Sequence, residues 1–175
     1  MPPRLCLTYT STVMNPVTVH RRHYEDLRVG EVIDIGRTTV TKEMIVTFAR
    51  EFDPFPFHLD EAAAKASLLG GLASSGWQTA ALSLRMLVDS FLNTVASMGG
   101  LGFSDLKWKA PVMVGDTIGG TATIAALRRS RHHPERGIVT LDFDIRNQKG
   151  EAVMSMRLAN LVEVRDPSVP LDGAA

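Results

Sequence analysis

Residues 53 to 60 read Asp-Pro-Phe-Pro-Phe-His-Leu-Asp and place two ionisable side chains, Asp53 and His58, five positions apart across two prolines. Proline fixes its own φ and pushes the residue before it toward extended backbone. Pro54 and Pro56 therefore predict a stiff linker that holds Asp53 and His58 in one relative geometry. A carboxylate beside an imidazole can hold a water between them and move its protons near neutral pH, because histidine titrates at about 6.5 and a nearby carboxylate tunes it. The same residues also permit a turn with a solvated Asp53 and a helix-flanking His58, and these eight positions alone leave both readings open.

Elements on either side must position the pair. Thr41 is suited to N-cap a helix with Glu43 in its first turn, and Ile45, Phe48, Ala49 and Phe52 then fall at i, i+3, i+4 and i+7, the stripe of an amphipathic helix. That helix must stop at Asp53, because Pro54 follows. Asp60 can cap a short helix from Glu61 to Ala66, closed by Gly70-Gly71. Upstream, Val32, Ile33, Ile35 and Thr38 to Val40 predict a first strand. From Trp77 to about Met98 runs a longer helix, apolar around most of its circumference, as expected of a helix wrapped by the rest of the fold. The remainder is β. Leu101 to Lys109, Thr117 to Leu127, Gly137 to Ile145 and Ala152 to Val164 have strand composition, with clear alternation in Val139, Leu141, Phe143 and Ile145. Asn147-Gln148-Lys149-Gly150 is a hairpin turn with glycine where φ must be positive. One buried helix followed by a run of long strands implies an α+β unit, an antiparallel sheet curled around that helix.

Composition narrows the function. With 175 residues and 45% apolar content the chain reads as one domain with a sizeable core. Nineteen Lys plus Arg balance nineteen Asp plus Glu, so the whole-chain field gives no reason to expect nucleic acid or an anionic membrane as partner. The single cysteine, Cys6, excludes an internal disulfide and a Cys-based metal cluster, and fits a reducing compartment. No apolar run approaches the roughly 20 residues that span a bilayer, and Thr8, Thr10, Ser11 and Thr12 interrupt the start too soon for a signal peptide. A cytoplasmic protein without a membrane anchor is the expectation. Residues 1 to 22 lack any period and read as a flexible arm, residues 23 to 165 as the single domain, and residues 166 to 175 as a disordered tail.

The segment from Phe48 to Asp60, followed by Ala66-Ser67, Gly70-Gly71 and Ser74-Ser75-Gly76-Trp77, resembles the MaoC-like dehydratases, the (R)-specific enoyl-CoA hydratase branch of the hot-dog fold. The family signature is Asp-x-Asn-Pro-x-His, then a His-Gly or Ser-Gly pair opening the central helix. Lys109-Ala110-Pro111-Val112-x-Val114-Gly115-Asp116 resembles the same family, and the likeness runs from about Tyr24 to Val164. Several spaced motifs agreeing in order are far more specific than any one alone.

Carried over residue by residue, the resemblance assigns Asp53 and His58 to a catalytic acid/base pair and Gly76 to an oxyanion site. Hydrating a trans-2-enoyl thioester requires a water deprotonated as it attacks C3, a proton delivered to C2, and stabilisation of charge on the thioester oxygen. Two acid/base groups meet the first two needs. The Gly76 N–H at a helix start meets the third, and glycine lets a ligand carbonyl approach the backbone. A tight turn is the alternative use of Gly76. The chain departs from the pattern at Phe55, where the family has Asn or Gln, so an amide that could orient the pair or its water is replaced by a ring. A pocket-lining serine of the family aligns with Leu84, beside Ser83.

The resemblance implies an acyl-CoA thioester as partner and no separate cofactor, coenzyme A being carried as part of the substrate. It also implies a C2 homodimer or a dimer of dimers, joined edge to edge with the acyl-CoA site near the junction. Leu101-Gly102-Phe103 would supply the exposed edge. Three activities fit: a lyase adding water to 2-enoyl-CoA, a thioesterase on the same scaffold, and a non-catalytic acyl-CoA binder. The basic run Arg128 to Arg136 could contact coenzyme A phosphates or be a solvated hairpin tip, and His132-His133 lacks acidic or cysteine partners at metal-ligand spacing. Trp77, Met86, Met98, Met154 and Met156 read as core residues first and acyl-pocket candidates second.

Overall fold

Strict alternation in the second half of the chain becomes one antiparallel sheet. The structure, a computed structural model, describes residues 21–168. Cys6, most of the arm expected over residues 1 to 22, and the tail beyond Ser168 lie outside them. Five strands, β1 (Val32–Thr39), β2 (Ser97–Trp108), β3 (Thr117–Arg129), β4 (Arg136–Arg146) and β5 (Ala152–Glu163), are ordered β1-β3-β4-β5-β2. On β4 the buried residues are Gly137, Val139, Leu141, Phe143 and Ile145, and on β5 Met154, Met156, Leu158 and Val162 share that face. A period of two thus puts the apolar set on one side of the sheet.

The helices lie on that side: α1 (Lys42–Phe52), α2 (Pro56–Leu59), α3 (Glu61–Ala66) and α4 (Gly76–Ser90). Met86 and Leu87 of α4, followed by Phe91, join the core with Ile118, Ile124, Val139, Leu141, Phe143 and Leu158. A long helix held against a curled antiparallel sheet is the hot-dog fold.

Thr41 caps α1, its hydroxyl accepting from the Met44 N–H at 3.2 Å, and Asp60 caps α3 through the Ala63 N–H at 2.8 Å. Three expectations need correction. The central helix ends at Ser90, and after a 3-10 turn at Leu92–Thr94 the chain is already extended at Ser97. The residues around Pro56 form the turn α2 with proline in its first turn, a place where the missing N–H costs nothing. Finally, α3 spans Glu61–Ala66 as expected, but it is capped by Ser67 rather than closed by Gly70-Gly71. Among the described residues no helix is long and apolar enough to cross a membrane.

The segment after β2 couples the helices to the sheet. Ala73 pairs with Met113, and the Ser74 and Val114 N–H groups donate to Val112 and Leu72 carbonyls at 2.8 and 2.9 Å. Gly115, at φ +86°, turns the chain, and the Asp116 carboxylate accepts from the Met113 N–H at 2.8 Å. The Gly115 N–H in turn donates to the Val40 carbonyl beside the start of α1.

Candidate active site

His58 sits near the end of α2, only 7% exposed, and its imidazole meets a backbone carbonyl on one side and a carboxylate on the other. Nδ1 lies 2.8 Å from the Ala73 carbonyl oxygen. A carbonyl only accepts, so Nδ1 carries a proton and donates, and Nε2 is the nitrogen left for chemistry. Ala73 is fixed by its pairing with Met113, so the ring is oriented by the 72–74 segment rather than by its own helix. Nε2 lies 3.7 Å from Asp53 Oδ2. That is beyond a hydrogen bond and within reach of a shared water. Asp53 is the C-cap residue of α1, its N–H donating to the Ala49 carbonyl at 3.0 Å, and the Phe55 N–H folds back to the Asp53 carbonyl at 2.8 Å.

Asp53, His58 and Gly76 line one cavity of about 520 Å³, whose walls are otherwise mainly apolar and include Phe57, Leu69, Pro111 and Val112. Gly76 is the first residue of α4, capped by Ser75. Its N–H belongs to the first turn, where helical donors have no carbonyl one turn earlier. The structure also supplies a reason for glycine here beyond ligand approach. A Cβ at this position would lie 2.4 Å from Cε2 and 2.6 Å from Nε1 of the Trp108 indole.

Behind Ser74 of the cavity wall, a polar network links the start of α4 to α1. Ser74 Oγ donates to Gln78 Oε1 at 2.8 Å, and Gln78 Nε2 donates to the Met44 carbonyl at 2.8 Å, tying α4 to α1. Ser83 is fully buried with its hydroxyl turned back to the Thr79 carbonyl at 2.8 Å, and it lies outside the cavity wall, as does Leu84. Phe55 lines the cavity, its ring parallel to Phe57 at 5.2 Å, and the Phe57 ring meets the imidazole at 4.6 Å and 70°.

Sequence reasoning missed Trp108, Phe57, Thr79 and Lys109 as cavity residues. Trp108 and Lys109 stand directly before the Ala-Pro-Val motif, and that adjacency was the available signal. Trp77 and Met98 are exposed rather than core, whereas Met86, Met154 and Met156 are buried. The basic run joins β3 to β4, at the end of the sheet where Gly137 faces Val162. The cavity residue Trp108 faces Met154 at the other end. An eleven-residue strand separates the two by roughly 30 Å, so within one chain this loop does not line the cavity.

Known proteins share this fold. The family profile described as "MaoC like domain" matches residues 27–143. A crystal structure of a MaoC-like dehydratase from Rhodospirillum rubrum is 43% identical, superimposes with a TM-score of 0.77, and aligns over 83% of this chain and 99% of its own. The uncharacterized protein YdeM of Bacillus subtilis is 27% identical over 79% of this chain and 97% of its own length. The (R)-specific enoyl-CoA hydratase of Rhodospirillum rubrum is 27% identical over 67% of this chain and 76% of its own. The chain spans less than half the length of the longer curated relatives it matches. This chain belongs to the MaoC-like dehydratase family.

Proposed function

We propose that this protein adds water reversibly to a trans-2-enoyl-CoA thioester, with Asp53 and His58 as the acid/base pair and the Gly76 N–H at the thioester oxygen. The observation that carries the reading is the 3.7 Å separation of His58 Nε2 and Asp53 Oδ2 on the wall of a cavity that the α4 N-terminus also lines. Two acceptor atoms at that distance grip one water without quenching each other. As the water oxygen bonds to C3, one proton passes to the pair, the C2–C3 π electrons shift toward the carbonyl, and charge grows on the thioester oxygen. The start of α4 faces that charge with an N–H and the positive end of its dipole. A proton returned to C2 completes a 3-hydroxyacyl thioester, and dehydration retraces the same steps. Membership of a dehydratase family and likeness to a protein named (R)-specific enoyl-CoA hydratase support the reaction class.

We infer in addition that the active form is a homodimer joined through β2. That strand is an edge of the sheet, and Leu101 (56% exposed) and Phe103 (51%) stand open on it. Antiparallel pairing of two β2 strands would run the Ser97 end of one subunit toward Trp108 of the other, bringing second-subunit residues near the cavity.

The test of the reaction is a spectrophotometric assay with crotonyl-CoA. Loss of enoyl absorbance without release of free thiol supports hydration, whereas free coenzyme A identifies a thioesterase. Tight binding with neither change identifies a non-catalytic binder.

A further inference from the structure

Trp108 lines the cavity beside the start of α4. It is the last residue of β2, on an edge strand, and its indole lies against Gly76 closely enough that no side chain fits between them. Trp77, one residue into α4, meets it edge-on at 5.4 Å and 79°. Both rings belong to the cavity wall together with Phe55 and Phe57, and Trp108 keeps 48% of its surface open. A half-exposed indole pressed on a glycine and braced by a second indole is a flat, oriented surface beside the helix start.

On the reading that an acyl thioester docks at Gly76, we propose that Trp108 is a specificity-determining residue that selects planar, conjugated acyl thioesters over saturated ones. In a 2-enoyl thioester the carbonyl, C2 and C3 lie in one plane, and a flat π system gains from offset stacking on an aromatic face. A saturated chain has tetrahedral C2 and C3 and cannot lie flat. The same contact holds C3 at a fixed height above the ring while the carbonyl meets the helix N-terminus. Two tryptophans are the chain's full complement, and both lie at this cavity. Intrinsic fluorescence is therefore a site-specific reporter of binding that does not depend on turnover.

The experiment titrates crotonyl-CoA and butyryl-CoA against Trp fluorescence in the Asp53→Asn background, where crotonyl-CoA should be consumed at least about a hundredfold more slowly. The expected result is about three- to tenfold tighter binding of crotonyl-CoA. Trp108→Phe should keep that ratio and Trp108→Leu should bring it close to one, with Trp77 as the remaining reporter. In the otherwise native protein, Trp108→Leu should raise KM for crotonyl-CoA more than it lowers kcat. An unchanged ratio in Trp108→Leu overturns the role of Trp108 while leaving the functional reading intact. Failure of both thioesters to bind the Asp53→Asn protein and the native protein overturns the functional reading, and this inference with it.

Discussion

Asp53 and His58 hold one water best if neither is tied to the other, and the gap between Nε2 and Oδ2 meets that condition. Replacing Asp53 with Asn or His58 with Ala should each lower hydratase turnover about a hundred- to ten-thousandfold with unchanged circular dichroism. Retention of most activity in either variant would remove that residue from the mechanism. Phe55 is more than half exposed and stacked on Phe57, so Phe55→Gln should fold normally. It should weaken acyl-CoA affinity about two- to tenfold through the lost stack. A rise in kcat would instead show that an amide is what this site lacks. Gly76→Ala keeps its backbone N–H but forces the Trp108 ring aside. Loss of activity there, if relieved by Trp108→Ala, would separate the crowding of the ring from the loss of a donor.

At the scale of elements, Gln78 and the chain entry are the informative ties. Gln78→Leu removes the hydrogen bonds from Ser74 Oγ and to the Met44 carbonyl, Ser74 Oγ keeping the Ser75 carbonyl at 3.2 Å, and should cost about 1–3 kcal/mol in denaturant unfolding. Arg22 grips Glu31 through two hydrogen bonds, at 2.6 and 2.7 Å, where the chain enters β1. The hydrogen bond from the Arg22 guanidinium holds the Glu31 carboxyl below its ordinary value. A carboxylate whose folded value is depressed contributes stability that is complete above its unfolded value, about 4.3, and is lost as pH falls through the folded value. With both side chains roughly a third exposed, screening limits this to about 1 kcal/mol. Glu31→Gln should therefore lower Tm slightly at pH 7 and make no difference at the acid end of the profile. Much of this architecture was legible: β4 and β5 show their period because one face is buried and the other is not. The start of β2 was not, because an edge strand exposed on nearly every residue carries no alternation, and Ser97-Met98 extends an apolar helix pattern just as well. Pro56 read as a linker because proline forbids helix interiors, yet the first turn of a helix admits it. Asp53, His58 and Gly76 could be picked from their motif, whereas Trp108 arrives from a strand 32 residues after Gly76 and only the fold brings it there.

For the whole molecule the open question is the β2 edge. Light scattering at low micromolar concentration should give twice the chain mass. Phe103→Lys, which places a charge at the centre of the proposed pairing, should shift the protein toward monomer. A native protein that stays monomeric and still hydrates crotonyl-CoA would remove both the edge pairing and the shared site. The opposite end of the sheet offers a control. Neutralising Arg128 and Arg131 should leave a monomeric cavity untouched, since the loop is a full strand length away.

The carbonyl of Ala73 has one further consequence, and it concerns stereochemistry. With Nδ1 committed to that oxygen, the imidazole cannot turn over to present its second nitrogen, so a proton accepted at Nε2 can leave only from Nε2. On the proposed mechanism, with both groups on one wall of the cavity, oxygen and hydrogen would reach the double bond from the side on which Asp53 and His58 stand. Hydration of crotonyl-CoA in deuterium oxide should place the C3 hydroxyl and the C2 deuterium on the same face, a single diastereomer that proton coupling constants identify. A mixture of diastereomers would mean that the proton at C2 arrives from solvent or from a group on the opposite face.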